Sequence, residues 1–184
     1  MQTIEQNLTQ YAAYHRDRRN IATHFVGVPM ILFAVILALA VVEIPAGPIV
    51  VTLAAIVSVA TCAYYLKLDL ALGVTMAIVL FAMCAGASEI THRSGTGASL
   101  GIALGVFVVG WAIQFLGHKY EGVKPAFFDD AKQLLIGPIF VCAEAYFLFG
   151  AMPGLRRYIE DRVGPTVARR DGRPIPIRDD QAAA

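Results

Sequence analysis

The sequence predicts an all-α protein, a polytopic membrane helical bundle of four to five hydrophobic helices with an amphipathic helix at its N-terminus. Three observations predict it. Of the 184 residues, 57% are hydrophobic and only 16% charged, with a mean hydropathy of +0.61, where ordinary globular domains carry about 25% charged residues. From Ile21 to Leu116 the only Asp, Glu, Lys or Arg are Glu43, Lys67, Asp69, Glu89 and Arg93. The apolar runs between those charges approach or exceed the roughly 20 residues that cross a hydrocarbon core.

Thr3 to Tyr14 reads as the amphipathic helix. Thr3 and Gln6 have capping-box spacing, and Ile4, Leu8, Tyr11 and His15 follow one helical stripe. Arg16-Asp17-Arg18-Arg19-Asn20 breaks that pattern, which predicts a bend there with Asn20 as N-cap of the next helix. A first span follows from Ile21 to about Val42, kinked at Pro29. Glu43 to Pro48, with two prolines and a glycine, reads as a turn. Spans two and three, Ile49 to Leu66 and Leu70 to Ala87, form a hairpin around Lys67 and Asp69; Ser88 to Ser99 reads as a loop, and Leu100 to Gly117 as span four. In span four, Gly101 and Gly105 have the small-xxx-small spacing that permits close helix approach. A polar connection, His118 to Lys132, leads to a last apolar segment, Leu134 to Gly150, with Glu144 inside it. A carboxylate at that depth needs a partner or a function. Residues 1–152 are expected to form one membrane-embedded domain. Residues 153–184 are expected to be an Arg-rich, largely disordered tail with a brief amphipathic stretch at Leu155, Tyr158 and Ile159.

The basic residues around Arg16, Arg18 and Arg19 place the N-terminus in the cytoplasm. A fifth complete span would then export seven arginines, so the last segment is expected to be re-entrant or interfacial. A net charge of +1 excludes the basic face that nucleic-acid binding requires. Cys62, Cys84 and Cys142 lie in apolar runs without CxxC spacing and read as buried hydrophobes. Residues 1–20 lack the apolar stretch of a cleavable signal, so the first span is expected to do the targeting.

The chemistry-bearing residues gather on one side of this topology. His24 lies about one turn inside the first span, His118 closes the fourth span at the same surface, and His15 arrives there from the amphipathic helix. His92 falls in the opposite loop and is left out of the site. On a continuous helix His15 and His24 would face about 180° apart, so convergence requires the predicted bend. Glu121, three residues after His118, and Gln114, one turn before it, share its helix face. Asn20 shares a face with His24, where it either orients the imidazole or serves only as a cap. Neutral imidazoles with a carboxylate suit iron(II), zinc, manganese or nickel; the alternative is a set of ordinary interfacial histidines.

Two blocks extend this reading. The string Tyr14-His15-Arg16-Asp17-Arg18-Arg19-Asn20-Ile21-Ala22-Thr23-His24-Phe25-Val26-Gly27-Val28-Pro29 resembles the first signature of the family that metabolises phytosphingosine to odd-numbered fatty acids. The second block is similar to that family too: Gly110 to His118, then Glu121, Lys124-Pro125-Ala126-Phe127 and Leu135-Ile136-Gly137-Pro138. The resemblance implies a small polytopic membrane enzyme, an iron(II)-dependent dioxygenase that shortens long-chain 2-hydroxy fatty acids by α-oxidation to an aldehyde one carbon shorter, with O2 as co-substrate. It implies Fe(2+) held by His15, His24 and His118, with Glu121 at the family's acidic position and Glu144 in a similarly placed apolar string; with the helix-face reading added, Glu121 and Asn20 are expected to serve catalysis and Gln114 and Glu144 to stand behind the ligands or toward substrate. Arg16, Arg18 or Arg19 would attract either the substrate carboxylate or membrane-lipid headgroups. Composition favours a bacterial inner membrane with the site on the cytoplasmic side, and a homo-oligomer stays open. The competing readings are a small transporter or helical scaffold using Lys67, Asp69 and Glu144, and a di-iron desaturase, for which four histidines are too few.

Overall fold

The computed structural model describes residues 2–168 and 175–178. Helix dominates: α1 (Ile4–Ala12), α2 (Arg18–Ala40), α3 (Leu53–Leu68), α4 (Leu70–Glu121), α5 (Gln133–Leu148) and α6 (Pro153–Val163), with one hairpin of β1 (Glu43–Ala46) and β2 (Ile49–Thr52). The chain forms two compact units, residues 1–26 with 113–184, and residues 27–112. Helices α2 and α4 continue from one unit into the other.

In the first unit, α1 starts with the expected capping box: the Thr3 hydroxyl accepts the Gln6 N–H, and the Gln6 side chain accepts the Thr3 N–H. Its stripe of Ile4, Leu8, Tyr11 and Ala12 is buried, and α1 packs on α5 and α6. The bend falls slightly earlier than the sequence predicts. The chain leaves helical geometry after Ala12, and α2 begins at Arg18 with Asp17 as its cap: the Asp17 carboxylate accepts the Arg19 N–H at 2.8 Å and its carbonyl the Ile21 N–H at 3.0 Å. Asn20 therefore lies inside α2 and not at its cap, because Asp17 offers a charged acceptor one turn earlier. Helix α5 turns through 111° into α6 across Gly150 (φ 72°) and Met152 (φ 53°), a broken span or re-entrant loop.

The tail after α6 departs from its composition. Val167 pairs in parallel with Asp17, donating its N–H to the Arg16 carbonyl at 2.9 Å and accepting the Arg18 N–H at 3.1 Å. The Ile175 N–H reaches the Ala13 carbonyl and the Arg178 N–H the Arg162 carbonyl. Where low hydrophobicity predicts a structureless tail, the open backbone of residues 13–18 supplies partners for it. The rest of the tail lies outside the described residues.

In the second unit, the expected turn at Glu43–Pro48 is a hairpin, with Ala46 opposite Ile49 and Gly47-Pro48 between them. Gly47 has φ 65°, the positive value a two-residue hairpin requires at that position, and the β-branched run Ile49-Val50-Val51-Thr52 favours strand. Span two thus begins only at Leu53, and α3 has 16 residues. The predicted loop Ser88–Ser99 is mostly helix, since Glu89 and Arg93 form an i,i+4 ion pair. The helix breaks at Gly95 alone (φ 72°, ψ 171°). Gly101 and Gly105 face open space, whereas a Cβ on Gly110 would meet Ile31 at 2.8 Å, so Gly110 carries the close helix approach. Two helices, α2 and α4, are long and apolar enough to cross a membrane, or three if the bent α5–α6 pair counts as one span. The expected third and fourth spans, Leu70 to Ala87 and Leu100 to Gly117, lie on either side of the Gly95 break in α4, whereas α3 and α5, at 16 residues each, fall short of a span on their own, so the expected four to five spans are not confirmed. Large side chains such as Phe81 (77% exposed) and Leu104 (65%) stand on the helix surfaces.

A candidate metal centre

His15 sits in the open turn between α1 and α2, His24 two turns into α2, and His118 near the end of α4. All three are buried. Their ring centroids are 4.6 Å (His15 to His24), 4.9 Å (His15 to His118) and 5.3 Å (His24 to His118) apart, each pair edge to face. One ligand atom from each ring lies within 4.8 Å of the other two.

Each ring is fixed by a backbone carbonyl. His15 Nδ1 bonds the Tyr11 carbonyl at 2.7 Å, His24 Nδ1 the Asn20 carbonyl at 2.8 Å, and His118 Nδ1 the Val123 carbonyl at 3.0 Å. A carbonyl only accepts, so the proton sits on Nδ1 and each Nε2 keeps its lone pair. For His15 and His24 the carbonyl belongs to the residue one helical turn earlier. For His118 it becomes reachable because Gly122, at φ 73°, reverses the chain after α4. His15 Nε2 is buried without any partner. Burial, then the neighbouring His24 and His118 rings, hold His15 well below the usual imidazole range, so the ring is neutral at pH 7. Three buried imidazoles, each anchored through Nδ1 and with one ligand atom apiece within 4.8 Å of the others, fit a cation: histidine commonly binds a metal through one nitrogen while the opposite nitrogen is anchored.

The wall around the cluster is apolar. Tyr11 stacks on His15 at 4.0 Å with ring planes 5° apart, and Phe140 packs 4.7 Å from Tyr11 and 5.8 Å from His15. Gly137 admits Tyr11, whose hydroxyl would be 3.1 Å from a Cβ there. Tyr11 and Phe140 were not singled out by the sequence; Tyr11 was legible only as part of the α1 stripe.

Glu121 is buried and turned to backbone. Its Oε1 accepts the Arg16 N–H at 3.0 Å, and its Oε2 accepts the Asp17 N–H at 2.8 Å and the Asn20 side-chain amide at 3.1 Å. Asn20 thereby links two anchors, its side chain on Glu121 and its carbonyl on His24. Gly117 makes the junction possible, since a Cβ there would lie 2.0 Å from Thr23 Oγ1 and 2.4 Å from Asn20 Oδ1. Gln114, one turn before His118, is buried with its Oε1 unpartnered. Glu144 forms an ion pair with Arg16 at 3.0 Å, both largely buried. The same guanidinium donates to the His15 carbonyl at 3.0 Å and the Gly164 carbonyl at 3.4 Å. Arg16 is thus a strut beside His15, its charge already met. Arg19 pairs with Asp17 at 2.7 Å. His92 is exposed on α4 in the other unit.

The family model described as 2-hydroxy-palmitic acid dioxygenase Mpo1-like matches residues 1–149. The 2-hydroxy-palmitic acid dioxygenase MPO1 of Saccharomyces cerevisiae is 30% identical over 160 residues, 85% of this chain and 87% of that protein. No solved structure matches.

Proposed function

The chain belongs to the Mpo1-like family, and from that premise we propose that it is an iron(II)-dependent dioxygenase converting long-chain 2-hydroxy fatty acids to aldehydes one carbon shorter. The observation that carries the reading is the set of three buried imidazoles whose Nδ1 atoms are all committed to carbonyls, leaving Nε2 lone pairs for one ion. His15, His24 and His118 hold the metal in this reading. Iron(II), when bound, supplies the activation of O2 that no side chain of the protein can perform.

The protein's own residues do the rest. Carbonyls from Tyr11, Asn20 and Val123 keep the rings aimed, and burial keeps the His15 ring neutral. Glu121 positions two elements at once, holding the Arg16–Asp17 backbone and Asn20 against the end of α4; its three N–H donors support a positioning role over direct ligation. Tyr11 and Phe140 keep bulk water from the ring edges. Gln114 Oε1, buried and unpartnered, is an acceptor for the substrate's 2-hydroxyl. The long apolar helices suit an enzyme resident in a membrane, here a bacterial inner membrane with the site on its cytoplasmic side, where an acyl chain stays in lipid while its polar end reacts.

The test is metal analysis of detergent-purified protein together with oxygen consumption on 2-hydroxypalmitate. Bound iron and substrate-dependent oxygen uptake are expected, both lost in His24→Ala and His118→Ala while helical content persists. A metal-free protein inactive on every 2-hydroxy acid would return the reading to a transporter or scaffold.

A further inference from the structure

A cavity of about 300 Å³ lies on the side of α2 away from the histidine cluster. Asn20 and His24 share one face of that helix, while Arg18, Ile21, Ala22 and Phe25 line the cavity from a face roughly 130° further round. Across from them stand Phe147 at the end of α5 and Ile159 from α6, and the tail contributes Thr166. Ile159 and Thr166 lie beyond the residues that the family model matches.

The charges on its lining do not balance. Arg16 is paired with Glu144 at 3.0 Å and Arg156 with Glu160 at 2.9 Å. Arg18 also lines the cavity, is exposed, and its guanidinium has no hydrogen-bond or ion-pair partner among the described residues. One positive charge is left over on a lining that also holds Ile21, Phe25, Phe147 and Ile159. Thr166 adds a half-buried side chain, and its position is set by the neighbouring Val167 pairing with Arg16 and Arg18. Leu148, 75% exposed, forms a greasy lip. An unpaired guanidinium over an apolar chamber matches one ligand chemistry, an anionic head attached to an acyl chain. The volume is at the small end for a ligand cleft, enough for the head and first carbons, and the exposed Leu148 offers apolar surface for the carbons beyond them.

We propose that this cavity is a binding site for an anionic acyl lipid, gripped by Arg18 and separate from the histidine cluster. Two lipids carry that chemistry: a free fatty acid, as substrate or product in waiting, and an anionic phospholipid.

The test is native mass spectrometry of the full-length protein in micelles offered, separately, 2-hydroxypalmitate, phosphatidylglycerol and phosphatidylcholine. The expected result is retention of one or both anionic lipids and not of phosphatidylcholine. Arg18→Gln should weaken the retained lipid about tenfold, the worth of one charge-assisted hydrogen bond. Ala22→Trp, from an exposed position on the lining, should fill the chamber and abolish retention. Both residues are exposed, so the circular dichroism of each variant should match the parent protein. Loss of the fatty acid alone assigns the site to substrate or product traffic, and loss of phosphatidylglycerol alone assigns it to a membrane lipid; either supports the site. Retention unchanged in both folded variants, or phosphatidylcholine held equally well, would overturn it. None of these readouts needs metal or turnover, so the site stands or falls apart from the dioxygenase reading.

Discussion

Glu121 shows how a single carboxylate can serve a site from behind. Three N–H groups donate to it, two from the Arg16–Asp17 backbone and one from Asn20. Glu121→Gln puts an amide where one of those donors points, which should cost about 1–3 kcal/mol of stability in a denaturation experiment; metal affinity should fall with it. Glu144→Gln strands the buried Arg16 guanidinium and should cost about 3–5 kcal/mol. Gly117→Ala, with its Cβ driven onto Thr23 and Asn20, should destabilise by about 1–3 kcal/mol, and Thr23→Ala in the same chain should return part of that loss. The convergence of the three histidines was legible because the predicted break between His15 and His24 lets their rings meet and because both lie in a string, and His118 in a second one, that resemble one family. The partners of Glu121 were not. The i,i+3 spacing to His118 suggests a shared ligand face, but its donors sit more than 100 residues away, and two of them are backbone groups common to every residue. Glu144 was legible as a carboxylate needing a partner; which arginine answered it was not.

At the scale of elements, the turn between α1 and α2 carries the account. It is held by the capping of α2 at Asp17, by Glu121, and by the tail strand at Val167. Ending the chain at Gly164 removes the Val167 and Ile175 bonds. Hydrogen exchange at the Arg18 amide should then accelerate, whereas exchange in the middle of α5 should not change; equal acceleration in both would mean that the strand merely supports global stability. The amphipathic α1 and its capping box followed directly from Thr3, Gln6 and the apolar stripe. The elements that differed did so for local reasons. Asp17 outcompeted Asn20 as cap. The Glu89–Arg93 pair extended helix through a stretch whose glycines and serines suggest a loop, leaving Gly95 as the break. Ile49 to Thr52 could continue apolar helix or pair as strand, and Gly47 decided for the hairpin.

For the whole molecule, two long apolar helices and surface side chains such as Phe81 and Leu104 are compatible with lipid as the solvent. The protein should stay in the membrane pellet through an alkaline carbonate wash and leave it only with detergent; release by carbonate alone would contradict this. That the chain is helical and apolar was legible from charge spacing, while the number of crossings was not, because apolarity is shared by spanning, broken and re-entrant helices. In the proposed function His15, His24 and His118 bind one iron ion through their Nε2 atoms. X-ray absorption at the iron edge of the reconstituted full-length protein tests it most directly. A single iron with the multiple-scattering signature of three imidazoles is expected, reduced to two in His24→Gln; a spectrum without imidazole scattering, or one unaltered by that substitution, would rule this site out.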